Sequence, residues 1–219
     1  MNKYIDKYFR ISTKDKITLC LQSSLLCSVM IINYILYCTK DSLAVHHMGP
    51  ESIVFMRTYL VIPIIFIFFM FYSKLLNIIK LQHLFSLVIF LFVVYFLSFS
   101  YLIYPKYCGY IAQIDKFSIS SIRDIWANMI AHSAIINYYI VCELWTNFVL
   151  GVMAWQFLNA INTQESAHNN YYFFQFISNL AIILTGQIIF WIGTTTFMDW
   201  QDNLQYLSTI VAFLGGISS

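Results

Sequence analysis

Residues 130–158 read IAHSAIINYYIVCELWTNFVLGVMAWQFL, an apolar run with a single carboxylate, Glu143, near its middle. At about 1.5 Å per residue, a helix of that length crosses the ~30 Å hydrocarbon core of a bilayer. A carboxylate at that depth costs on the order of 3 kcal/mol on insertion scales. Glu143 is therefore expected to face a protein interior or a water-filled path, and to mark a functional position. The chain reads as a membrane protein with a polar route through it.

The rest of the composition agrees. Of 219 residues, 60% are hydrophobic and only 10% charged, with a mean hydropathy of +0.71. A soluble domain carries charge on about a quarter of its residues. The net charge of +2 gives no basis for a nucleic-acid partner. The five cysteines (Cys20, Cys27, Cys38, Cys108, Cys142) form no CxxC pair and no metal-ligand spacing, so they read as small apolar residues. His46 and His47 are adjacent in an expected loop without a third ligand, so neither a metal nor a cofactor is expected. No nucleophile–base pair falls among the polar membrane residues, which argues against an enzyme.

Apolar segments at about 17–38, 52–73, 83–104, 129–158 and 171–193 predict transmembrane helices. A sixth starts near Leu204 and reaches Ser219, short of the ~20 residues a span needs, so it is expected to be re-entrant or truncated. The fold class is then an all-α membrane protein of five to six transmembrane helices. Residues 1–16 form an N-terminal tail and 17–219 a helical bundle. Lys3, Lys7, Arg10, Lys14 and Lys16 in the tail, with Lys74 and Lys80 in the second connection, outweigh the opposite side, where Asp115 and Asp124 accompany Lys106, Lys116 and Arg123. That bias predicts a cytoplasmic N-terminus in the inner cell membrane.

Within the spans the polar residues share faces. At 100° per residue, Gln22, Asn33 and Lys40 fall within about 20° of each other, and Glu143, Asn147, Gly151 and Ala154 within roughly 80°. Gln175, Asn179 and Gln187 repeat the pattern more loosely. Such stripes imply a partly wet interior. Lys40, taken as lying at a helix end, and Arg57 have a plainer reading as snorkelling cations, and Gly151 and Ala154 as packing contacts.

Three stretches resemble the ATP/ADP translocases of obligate intracellular bacteria and plastids, the non-mitochondrial nucleotide transporter family. Tyr34 to Val45, YILYCTKDSLAV, and Gly49 to Pro63, GPESIVFMRTYLVIP, are similar to the family's TKD segment and to its segment ending FLKxxxxxP. Cys142 to Ala167, CELWTNFVLGVMAWQFLNAINTQESA, resembles the ELW segment and the turn after it. Phe176 to Gln187, FISNLAIILTGQ, resembles a third. Together they cover most of residues 30–190 in order. Tyr37 stands where the family pattern has arginine, Thr146 where it has glycine, and His168, Asn169 and Asn170 where basic residues usually follow.

The resemblance implies the N-terminal half of a major-facilitator-type carrier in the bilayer, exchanging host ATP for ADP. Its partner would be a C-terminal half on another chain or a second copy. Lys40 and Glu143 match family residues regarded as essential, and Arg57 replaces a lysine. With Asn147 and Asn33 these are the expected substrate-binding residues, cations suiting phosphate oxygens. Alternatives are a degenerate, non-transporting fragment and a proton-coupled nucleotide or NAD importer.

Overall fold

The structure is a computed structural model and describes residues 13–111, 122–162, 164–195 and 200–218. Lys3, Lys7, Arg10, Asp115 and Lys116, used above for orientation, lie outside the described residues. Helix α1 spans Thr13–Met48. α2 runs through Glu51–Met56, a π-helical stretch Arg57–Val61 and Ile62–Leu76. α3 runs through Leu81–Ser98, a π stretch Phe99–Ile103 and Tyr104–Ile111. The short α4, Ile122–Ala131, precedes α5, which comprises Ser133–Leu144, a π stretch Trp145–Ala154 and Trp155–Ile161. α6 is Gln164–Thr195 and α7 Trp200–Ser218. Five of these helices are long and apolar enough to cross a membrane.

Several helix boundaries differ from the sequence expectation, each for a local reason. α1 continues ten residues past position 38 because Thr39, Lys40, Leu43, Ala44 and Met48 keep a buried face at helical spacing. It ends where Gly49 takes a left-handed φ of +84°, and the Gly49 N–H caps the Val45 carbonyl at 3.2 Å. Pro50 then opens α2. His46 and His47 are therefore helical, not in a loop, and Lys40 is not at a helix end. The apolar run around Glu143 is broken at His132 (φ −101°, ψ 29°), which separates α4 from α5. Lys106 lies on α3 rather than in the following loop. α7 starts at Trp200, four residues before the apolar run, with Asp202 favouring its N-terminal turn.

α1 is the axle of the bundle. Its membrane segment is 61% buried, against 11% for α2 and 17% for α6, and it packs against α5, α6 and α7. Exposed residues such as Phe66, Ile67, Met70 and Phe71 on α2 are what a lipid- or partner-facing surface carries. The core is aromatic: Phe92 and Phe96 of α3 meet the fully buried Trp145 of α5 edge-on, and Phe99 stacks on Tyr138 at 4.3 Å. α7 is fastened to α3 by hydrogen bonds between Ser100 and Ser208 and between Tyr101 and Thr209. At Gly215 an added Cβ would collide with the Val93 side chain, so the two helices approach closely where only glycine fits.

Candidate functional site

Three helices converge on a group of charged side chains. α1 contributes Tyr37, Lys40 and Asp41, α2 contributes Arg57, and α5 contributes Tyr139, Glu143 and Asn147 at successive i, i+4 positions on one face. The Lys40 ammonium lies 2.8 Å from Asp41 Oδ1 and 3.0 Å from Glu143 Oε1, and donates to the Tyr139 hydroxyl at 3.4 Å. A lysine has three N–H groups, and here each has an oxygen. The rings of Tyr37 and Tyr139 also face the ammonium, both with centroids at 4.5 Å, where a desolvated cation–π contact contributes on the order of 2 kcal/mol. The Lys40 side chain has no exposed surface.

Arg57 is arranged differently. Its Nε donates to the Tyr139 hydroxyl at 2.9 Å and to Glu143 Oε1 at 3.3 Å, while one terminal nitrogen stands 3.9 Å from Asp41. The Tyr37 side chain also hydrogen-bonds the guanidinium, and the Arg57 side chain remains 45% exposed. Glu143 Oε1 serves both cations, and Oε2 accepts from Asn147 Nδ2 at 3.2 Å. Two cations and two carboxylates make the cluster formally neutral. That is how such charges persist at membrane depth. The π turns begin at Arg57 and just after Glu143, and such irregular turns often accompany functional sites.

Of the residues singled out from the sequence, the structure brings Lys40, Arg57, Glu143 and Asn147 together. Asn33 is buried on the same face of α1, as is Gln22, but its Oδ1 has no hydrogen-bond partner among the described residues. Gln22 accepts from Asn162 Nδ2 at 3.2 Å. The stripe on α5 does not persist as drawn. Through the π stretch the turn per residue falls below 100°, so Ala154 is buried while Gly151 is exposed. Gln175, Asn179 and Gln187 point out of the bundle, because α6 buries Phe174, Ser178, Ala181, Thr185 and Ile192 instead. Sequence reasoning missed Tyr139, which its spacing of four before Glu143 would have placed on that face. It also missed Tyr37 and Asp41 as partners of Lys40.

A separate polar group closes one end of α1. Tyr107 and His132 Nδ1 are 2.5 Å apart, Tyr104 contacts His47, and the His47 and His132 ring centroids are 6.1 Å apart. Burial holds the His132 imidazole below its ordinary pKa. Among the described residues no three His, Cys, Asp or Glu side chains form a group able to hold a metal.

Membrane-length helices gathered on a self-neutralised ionic centre define a multi-pass helical membrane protein built around a charged site. The chain belongs to the TLC ATP/ADP transporter family, whose model matches residues 1–219. It is 29% identical over 211 residues to ADP,ATP carrier protein 4 of Rickettsia felis, covering 87% of this chain and 40% of that protein. It is 33% identical over 164 residues to ADP,ATP carrier protein 3 of Rickettsia bellii, covering 73% of this chain and 32% of that protein. The chain thus spans 32–40% of the length of these carriers. No solved structure matches it.

Proposed function

We propose that this chain forms the N-terminal half of a carrier that exchanges ATP for ADP across the inner membrane, its N-terminus cytoplasmic. The observation that carries the reading is the asymmetry of the two cations. Lys40 is saturated by its own partners and has no exposed surface, whereas Arg57, held by Tyr139, Glu143 and Tyr37, keeps 45% of its side chain exposed. A terminal phosphate would pair with that exposed guanidinium, whose planar fork suits phosphate oxygens. It would also compete with Asp41 and Glu143 for the cations, loosening the tie between α1, α2 and α5. A cluster neutral without cargo and overcharged with it suits alternating access, in which occupancy and helix contacts change together.

The second half would come from another chain or a second copy. The outward polar residues Gln175, Asn179 and Gln187 support this, since amides facing hydrocarbon are costly unless a protein surface covers them. The test is uptake of labelled ATP by intact bacterial cells expressing the chain, alone and with the second half, with and without external ADP. Saturable uptake suppressed by ADP is expected. No uptake with both halves present in the membrane would leave the chain a non-transporting relic.

A further inference from the structure

Arg57 belongs to the least enclosed of the five membrane-length helices: 11% of the α2 span is buried, against 56% for α5. Its guanidinium is held at Nε by α5. The single Nε–H is shared between two oxygens one helical turn apart, the Tyr139 hydroxyl at 2.9 Å and Glu143 Oε1 at 3.3 Å. Glu143 Oε1 lies nearer to Lys40, at 3.0 Å. The phenol is therefore the shorter tether on Arg57.

The two oxygens act differently on the cation. A carboxylate that grips a guanidinium also offsets its charge, whereas a neutral phenol holds it and leaves the charge for an arriving anion. Tyr139 can fix a direction because it is itself confined. It is fully buried, with the Lys40 ammonium 4.5 Å from its ring centroid. Tyr37 also hydrogen-bonds the guanidinium, but at 45% exposed it lacks that confinement. A planar fork tethered at Nε has the plane of its terminal nitrogens set.

We propose that Tyr139 is the positioning residue of the anion site, its hydroxyl setting the plane in which Arg57 meets a phosphate. The role rests on the carrier reading above and adds the group that aims the exposed cation. Being buried, Tyr139 touches no nucleotide and acts only through Arg57.

The neighbouring tyrosine supplies the control. The Tyr138 hydroxyl meets Thr39 Oγ1 at 3.2 Å and its ring stacks on Phe99. Tyr138→Phe thus also removes a buried hydroxyl from α5, yet leaves the tethers on Arg57 in place.

The test is equilibrium binding of labelled ATP to the purified chain in lipid nanodiscs. Tyr139→Phe, which keeps the ring beside Lys40, is expected to weaken ATP roughly tenfold, and Tyr138→Phe by less than about twofold. Arg57→Ala should weaken ATP at least as much as Tyr139→Phe. Adding Tyr139→Phe to Arg57→Ala should cost nothing further, as for two residues acting through one contact. An equal loss in both tyrosine variants, no loss in Tyr139→Phe, or a loss that adds to that of Arg57→Ala would overturn the positioning role and leave the carrier reading standing. Unchanged binding in Arg57→Ala would overturn the role whether or not Tyr139→Phe folds. No ATP binding by the unaltered chain would overturn both.

Discussion

The Lys40 ammonium and the Glu143 carboxylate meet at 3.0 Å, and this contact ties the central helix α1 to α5. With Asp41 on one side and Arg57 on the other, it holds two charges that neither helix would tolerate alone in a membrane. Removing one partner of such a pair strands the other.

Lys40→Met and Glu143→Gln should each therefore abolish ATP uptake while the protein still reaches the membrane. Lys40→Met should also cost about 3–5 kcal/mol of stability. The double variant Lys40→Met/Glu143→Gln should recover part of that loss without recovering uptake. Thermal unfolding in detergent, read as a double-mutant cycle, checks this. Additive losses would mean the pair is not a coupled unit.

Arg57 should behave in the opposite way. Its side chain is nearly half exposed, and an ion pair of that kind contributes about 0–1 kcal/mol. Arg57→Lys should leave the melting temperature within a degree or two, yet raise the KM for ATP because lysine cannot present a fork. A kcat change at constant KM would place Arg57 outside the phosphate site.

Gly215→Ala should lower stability by about 1–3 kcal/mol, since the added methyl group runs into Val93 and forces α3 and α7 apart. Gly186→Ala on α6, where a methyl group meets nothing within 4 Å, should raise it by up to about 1 kcal/mol through helix propensity. Melting temperatures of the two variants check the close approach directly.

The buried His132 makes stability fall with acidity. Its pKa is lowered in the folded chain, so between the ordinary value of 6.5 and the lowered one the unfolded state binds the proton and the folded state does not. Stability then decreases as pH falls below 6.5. Melting curves at pH 7 and pH 5 should show the drop, and His132→Gln should reduce it.

The membrane spans were legible because hydropathy alone decides them. Glu143 was legible because its depth left it nowhere else to go, and Lys40 and Arg57 because of the motifs around them. Tyr139 was hidden among many membrane tyrosines until the backbone set it beside Lys40. The break at His132 has no proline or glycine to announce it. The π turns after Glu143 changed the angular spacing on which the α5 stripe was drawn. On α6, periodicity showed that Gln175 and Asn179 share a face, but which neighbour that face meets is a property of the whole bundle.

The central position of α1 has a consequence for biogenesis. Lys40 leaves the ribosome about a hundred residues before Glu143, its partner on α5. At roughly 5–20 residues per second, α1 waits on the order of 5–20 s with only its sequence neighbour Asp41 to balance the charge. Release into lipid during that interval would expose Lys40, Gln22 and Asn33 together, a cost that lasts until the fifth helix covers them.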